Sequence, residues 1–243
     1  MRTVLLSVSV LLAAAITTPA RADTHLVLEA GTDFPLDVNA KALLELPGRF
    51  RINASVGVMP SFYVSGYTGT EVLFTKYNQQ TADVVKTAIN SSLVGRIHLG
   101  WRPWEAHGFY FDLGYGFAAF GGGNSLATYI ARATGRMPPP EPDMQMSMNM
   151  DPSMNPYSVN SVLHMVDLEF GWSWKLFWQI EARVAAGAAW TFASSSTITP
   201  AFPSKAPTSD QTAYTKSVAS YLDGMNKNAI TPLITVGLGW RIF

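Results

Sequence analysis

The stretch "GFYFDLGYGFAAF", residues 108–120, alternates between two kinds of side chain. The odd positions are all apolar or aromatic, whereas the even positions are small or polar apart from Tyr110 and Phe120. Because successive side chains of a β-strand point to opposite faces, this pattern predicts a strand with one apolar face and one polar face. The odd face carries Phe109, Phe111, Leu113, Tyr115 and Phe117, and the even face carries Tyr110, Asp112, Gly114, Gly116 and Ala118.

The same alternation recurs along the chain and predicts seven further strands. Their ranges are 25–34, 40–46, 49–58, 93–102, 162–175, 177–192 and 231–243. Most approach the roughly 9–11 residues that cross a bilayer when a strand is tilted. The sequence therefore predicts an all-β fold, an eight-stranded antiparallel up-and-down barrel.

The connections between the predicted strands differ strongly in length. Short turns at 47–48, 103–107 and near 175–176 lie at one end, and long excursions at about 59–92, 121–161 and 193–230 lie at the other. Short turns opposite long loops are typical of a transmembrane barrel of the outer membrane, with both chain ends periplasmic. Each long loop carries a helix-like segment, at 81–92, 125–134 and 210–222.

The N-terminus and the composition indicate export. Residues 1–22 have a basic start, an apolar run and the small-x-small end Ala20-Arg21-Ala22, which predicts a cleaved signal peptide and a mature barrel of residues 23–243. Removing Arg2 and Arg21 leaves 15 basic and 17 acidic residues of the original 17 and 17, so nucleic acid is not an expected partner. There is no cysteine, so disulfides cannot stabilise the chain.

Charges concentrate on the polar faces of the strands, seven acidic and seven basic by our count. A balanced set is typical of a narrow barrel interior in which side chains form ion pairs, although a soluble lipocalin-like barrel with its apolar face inward is the alternative. The predicted ion-pair network comprises Glu29, Lys41, Glu45, Arg51, Arg96, His98, Asp112, Asp167, Glu169, Glu181 and Arg183.

Tryptophan placement favours the membrane interpretation. Six of the seven tryptophans fall at the short-turn ends of strands, and tryptophan prefers the headgroup level of a bilayer. A ring of this kind predicts an interfacial girdle against outer-membrane lipid. It comprises Trp101, Trp104, Trp172, Trp174, Trp178 and Trp240.

The C-terminal segment "VGLGWRIF" resembles the last strand of outer-membrane β-barrel proteins, which usually ends in an aromatic residue. The strand number is similar to that of the small OmpA/OmpX-type barrels, whose interiors are filled by side chains. The resemblance implies that Phe243 is read by the outer-membrane assembly machinery. Phe243 departs from the pattern by standing one step off the apolar face that Trp240 and Ile242 continue.

The expected function is a non-enzymatic, structural or surface-interaction role, exercised through the long outer loops toward an extracellular ligand or partner. One alternative is a narrow ion or small-solute channel, with Arg96, His98, Arg102 and Asp112 as its path. The other alternative is a lipid A-modifying enzyme, a class that uses histidine with serine and a carboxylate. In this chain the histidine would be His164 and the serine would be Ser161. No motif in the chain predicts a cofactor.

The methionine run "MQMSMNM", residues 144–150, lies within the second long loop between proline-rich segments. Proline at that density opposes helix and central strand, so an extended tip is expected there. Alternate residues of an extended chain point the same way, and thioethers bind soft ions such as Cu(I). Met144, Met146, Met148 and Met150 are thus a candidate metal site; an oxidation-prone surface loop is the alternative.

Overall fold

The computed structural model describes residues 24–74, 79–104, 108–122, 124–135, 156–200 and 209–242. The predicted signal peptide, the four methionines at 144–150 and Phe243 lie outside these ranges. Nine strands and four helices make up the described chain. In chain order they are β1 His25–Phe34, β2 Asp37–Glu45, β3 Phe50–Val58, α1 Ser61–Phe74, α2 Gln79–Ala88, β4 Ile89–Trp101, β5 Phe109–Gly122, β6 Asn124–Leu126, α3 Ala127–Thr134, β7 Pro156–Phe177, β8 Ile180–Pro200, α4 Ser209–Asn226 and β9 Ile230–Arg241.

Eight of the strands form a closed antiparallel barrel, as predicted. Each long strand pairs with its neighbour in the chain, β1 pairs with β9, and β5 pairs with β7 to complete the ring. The three-residue β6 is an added strand on β7 beyond the end of the β5–β7 ladder. Closure removes the exposed strand edges, so every barrel strand has two hydrogen-bonded neighbours.

The period-2 alternation separates the side chains that face the barrel interior from those that face outward. Along β3 the burial pattern alternates residue by residue, with Arg51 and Asn53 buried and Phe50, Ile52 and Val56 exposed. The other barrel strands alternate in the same way: their charged positions face the interior and most of their large apolar positions face outward, although Val27, Leu43 and Val94 are buried on the inner face. An all-round exposed apolar surface over a polar interior is the reverse of a lipocalin-like barrel. Among the described residues no helix is long and apolar enough to cross a membrane.

The strands and helices differ in extent from the sequence prediction. β7 begins at Pro156 and β8 continues to Pro200, so both enter the ranges predicted as loops, and β4 begins at Ile89. The extension of β8 is mostly serine and threonine without apolar alternation, yet Tyr157 to Leu163 pair with Ser194 to Pro200 as a continued ladder. Helix α1 was not predicted, whereas α2, α3 and α4 lie near the three predicted helical segments.

A cap of helices closes the loop end of the barrel. Val64 and Tyr67 of α1 pack into the barrel mouth against Phe120, Leu163 and other apolar side chains. Above them a second cluster joins α2, α3, α4 and the extended strands; its members are Val84, Ile130, Tyr157, Val159, Ile198, Tyr214, Val218 and Leu222. Burial, reinforced by nearby Tyr157, raises the pKa of the Tyr214 phenol above its ordinary value, so this cluster stays uncharged.

Glycines on the inner face make room for the large charged side chains. A Cβ at Gly114 would collide with the His98 ring and the Asp167 carboxylate, and one at Gly237 would collide with Glu29. A narrow eight-stranded interior can hold large side chains only where the facing positions are small. The Gly positions within the alternating stretch therefore set where the charges fit.

Replacing Gly114 by Ala should destabilise the barrel. The added methyl must displace two buried side chains, and overpacking of this kind costs about 1–3 kcal/mol. Gly69→Ala is the matched control, because a Cβ at that exposed helical position meets nothing within 4 Å. The urea midpoint of the refolded protein should fall for Gly114→Ala and stay level or rise for Gly69→Ala. Equal midpoints for both variants would contradict the packing described here.

Candidate functional site

The centre of the barrel interior is a cluster of charges contributed by different strands. Arg96 on β4 forms ion pairs with Asp33 on β1 and Asp167 on β7, the latter at 3.1 Å. Lys41 on β2 approaches Asp33 at 3.7 Å. All four side chains are almost completely buried. Arg96 thus ties β1 to β7 across the lumen.

His98 links this cluster to a second carboxylate. Its Nε2 lies 3.0 Å from Asp167 Oδ2, and its Nδ1 lies 2.8 Å from Asn53 Oδ1. Asn53 in turn donates from Nδ2 to Asp112 at 2.9 Å, which orients its oxygen toward the histidine. Both ring nitrogens of His98 thus lie within hydrogen-bond distance of a side-chain oxygen, so the histidine connects the Arg96 cluster to Asn53 and Asp112.

Two arginines and a tyrosine fill the interior nearer the short-turn end. The Arg51 guanidinium lies over the Tyr110 ring, 3.9 Å from its centroid, and the Arg183 guanidinium is 5.8 Å from the same centroid. Arg51 pairs with Asp112 at 3.2 Å and Arg183 with Glu29 at 3.0 Å. Planar guanidinium groups stack well on aromatic rings, and here the stack fills the interior.

Glu169 completes the central network through hydroxyl groups. The Tyr110 hydroxyl donates to Glu169 Oε1 at 3.2 Å, and Thr235 Oγ1 lies 3.0 Å from Glu169 Oε2 and 2.5 Å from Asp33 Oδ1. Asn39 donates to Asp33 and Asp37 at 2.5 and 2.7 Å. The buried acids thus bind neutral donors as well as bases.

Two ion pairs lie at the short-turn end. Arg102 pairs with Glu45 at 2.5 Å and donates to the Ser173 hydroxyl at 2.9 Å. Arg241 pairs with Glu181. These side chains are partly exposed, in contrast with the central cluster.

The structure places all eleven side chains of the predicted network on the inner side of the barrel, Glu45 being the one that is only partly buried. Ten of the eleven belong to the pairs described above when the contact of His98 with Asp167 is counted. The eleventh, Glu169, joins the network through hydrogen bonds with hydroxyl groups. Sequence reasoning did not include Tyr110, Asn53 or Thr235 in the network. The available signal was their position on the inward face of their strands.

The six tryptophans of the predicted girdle are all exposed and lie at the short-turn ends of their strands or in the adjoining turns. Their exposed fractions run from 39% at Trp101 to 99% at Trp178. Trp101 contacts Phe111, while Trp104 and Trp172 both contact Phe109, with ring centroids 4.9–5.7 Å apart. The outside of this end is therefore a nearly continuous aromatic surface.

The candidate enzymatic pair is not assembled. His164 and Ser161 are three residues apart on β7, so their side chains point to opposite faces of the strand. His164 Nδ1 lies 2.7 Å from the Tyr115 hydroxyl on the outer surface, and Ser161 Oγ lies 2.8 Å from Ser196 Oγ. A serine–histidine pair for acyl transfer needs direct hydrogen-bond contact, which this geometry lacks.

Metal binding finds no support in the part of the chain that the structure describes, where no three His, Cys, Asp or Glu side chains are grouped to hold an ion. The proposed thioether site at Met144–Met150 lies outside that part.

Comparison with known proteins yields only distant structural likenesses. No protein-family model matches the chain, and no curated protein matches it. Acinetobacter baumannii CarO2 is 11% identical over 90% of this chain and 98% of its own, with a TM-score of 0.39. CarO from the same species is 12% identical, with coverages of 90% and 97% and a TM-score of 0.36. A major outer membrane protein from Thermus thermophilus is 11% identical, with coverages of 92% and 100% and a TM-score of 0.43. With TM-scores below 0.5, these likenesses carry no weight for the function of this chain.

Arg96→Leu should strongly destabilise the barrel, because it leaves Asp33 and Asp167 buried with less positive charge beside them. Breaking a buried ion pair from one side costs about 3–5 kcal/mol. Arg132→Leu, on the exposed side of α3, makes the same chemical change and should alter the unfolding free energy by no more than about 0.5 kcal/mol. Urea unfolding of both variants measures the difference. A loss of stability in Arg96→Leu no larger than in Arg132→Leu would contradict a coupled central network.

Proposed function

We propose that this protein is a non-enzymatic barrel of the outer membrane, with periplasmic chain ends, that acts as a structural and surface-interaction element rather than as a pore. The observation that carries the proposal is the closed lumen. Arg51, Tyr110, Arg96 and Arg183 are each no more than 4% exposed, as expected of large side chains that fill a narrow interior. Eight strands leave an interior that side chains can fill, and here large ones do so.

The loop end supports the same conclusion. The apolar plug that Val64, Tyr67 and Phe120 form lies directly above the charged layer. A solute entering from that end would have to displace first the helical cap and then the ion pairs. Among the described residues, the plug is apolar and the layer beneath it is charged, so a non-conducting barrel fits the structure better than the narrow-channel alternative.

Helix α1 supports a role at the membrane surface. Phe62 and Leu73 lie eleven residues apart, about three helical turns, on one side of α1, and they are 71% and 77% exposed. The ring centroids of Phe62 and Tyr63 lie 4.7 Å apart, and those of Tyr63 and the exposed Phe34 lie 5.1 Å apart. The apolar outside of the barrel therefore continues onto α1. We propose that this face of α1 lies in the interfacial region of the outer leaflet.

Planar-bilayer recording tests the closed lumen. The refolded protein, verified by its heat-modifiable gel mobility, should produce no unit conductance under conditions in which a porin control conducts. Resolved steps that change in size when Arg96→Gln or Asp112→Asn is introduced would instead establish the channel alternative, because those side chains lie inside the lumen.

The absence of cysteine allows a clean labelling test of α1. A nitroxide at Phe62→Cys in reconstituted vesicles should collide more with oxygen, which partitions into lipid, than with a water-soluble nickel chelate. Lys216→Cys, at an exposed position of α4, is the matched control and should show the opposite preference. Electron paramagnetic resonance measures both. Equal access of the nickel chelate to the two labels would contradict the proposal that α1 lies in the interfacial region of the membrane.

A further inference from the structure

A polar cavity opens at the short-turn end of the barrel, beneath the stacked Arg51. Its volume is about 370 Å³. The β2–β3 turn forms one wall, and side chains from β4, β7 and β9 or the residues just after them form the others. We call this cavity the basic vestibule, after the bases that line it: Arg49, Arg51, Arg102, Lys175 and Arg241.

Bases predominate among the side chains that line the basic vestibule, where Glu45 supplies a carboxylate. Arg51 pairs with Asp112, Arg102 with Glu45 and Arg241 with Glu181. Lys175 adds a further positive charge beside these pairs. Low-dielectric walls focus such a potential into the cavity, where it attracts anions.

Several buried donors of the basic vestibule have no hydrogen-bond acceptor among the described residues. These are both terminal nitrogens of Arg51 and the Nε atoms of Arg102 and Arg241. Arg51 is only 2% exposed, so it cannot compensate by turning into bulk water. Unfilled donors at a buried guanidinium are costly, and an anion with several oxygens would satisfy them.

Arg49 adds a conformational observation. It adopts φ = 72° at the tip of the β2–β3 turn, directly after Gly48 at φ = 83°. A non-glycine residue in the left-handed region is strained, by about 1–2 kcal/mol. Glycine would suit the backbone better, yet the chain places a guanidinium at the wall of the cavity there, with Nη1 donating to the Pro103 carbonyl at 2.9 Å.

We propose that the basic vestibule binds a phosphate group. Guanidinium groups match the arrangement of phosphate oxygens, and the unfilled donors of Arg51, Arg102 and Arg241 offer a bound phosphate several hydrogen bonds. The phosphate could belong to a free phosphate or phosphate ester, or to a lipid headgroup, since the tryptophans place this end of the barrel at headgroup level. The site requires the folded barrel but does not depend on whether the lumen conducts.

Calorimetric titration of inorganic phosphate into the chain refolded in dodecyl maltoside tests this site. Saturable binding at one site per chain is expected, with weaker binding of acetate, which has fewer oxygens and one charge. Arg49→Gly and Lys175→Gln should each reduce the affinity about tenfold, the effect of losing one charge-assisted hydrogen bond. Arg49→Gly also relieves the strained φ, so its urea midpoint should show that the barrel is intact. Lys216→Gln, at an exposed position of α4, is the control and should bind as the unaltered chain does.

Nanodiscs distinguish the two sources of phosphate. If free phosphate is the ligand, its affinity is the same in nanodiscs of phosphatidylcholine alone and in nanodiscs that also contain phosphatidylglycerol. If a lipid headgroup occupies the site, phosphatidylglycerol lowers the apparent affinity for phosphate. No saturable binding in detergent or nanodiscs, equal affinity for acetate, or unchanged affinity in both Arg49→Gly and Lys175→Gln would each overturn the proposal.

Discussion

The charges inside this barrel must compensate one another, and the rest of the structure follows from that requirement. A lone charge in a closed, narrow interior is several kcal/mol less stable than in water. Arg96 therefore lies between Asp33 and Asp167, and His98 bridges Asp167 to the amide oxygen of Asn53. The partners come from β1, β3, β4 and β7, so the network is complete only when the barrel has closed. Compensation of charge thus couples strand pairing on opposite sides of the ring.

Space in the interior is shared between large and small side chains. Gly114 and Gly237 leave the volume that His98, Asp167 and Glu29 occupy. The outer surface shows the complementary arrangement at Gly95, where the Phe117 ring covers the missing side chain. Small residues are placed where a neighbour on the next strand is large, which lets eight strands hold a dense layer of arginines without an open lumen.

The two ends of the barrel have different chemistry. Apolar side chains and four helices close the loop end, and the exposed face of α1 continues the apolar outside of the barrel. The short-turn end is open to a basic cavity and is ringed on its outside by tryptophan. A symmetric pore would need a continuous polar path between such ends, whereas the structure has one polar mouth and one apolar plug. The difference supports the proposals of a closed barrel, a membrane-facing α1 and a phosphate site confined to the vestibule.

The sequence by itself determined the number of strands, their two faces and most of the inward charges, because a period of two is a local property that each strand displays without its neighbours. It did not predict α1, whose "SFYVSGYTGTEVLF" is rich in glycine, aromatic and β-branched residues and lacks strong helix propensity. That helix depends on Val64 and Tyr67 packing into the mouth. The serine- and threonine-rich end of β8 is a strand because it pairs with the start of β7, not because its own residues alternate. Only the tertiary structure decided which acid meets which base, and that several bases line one cavity at the short-turn end. Barrel closure and strand register bring together these residues, which are distant in the chain.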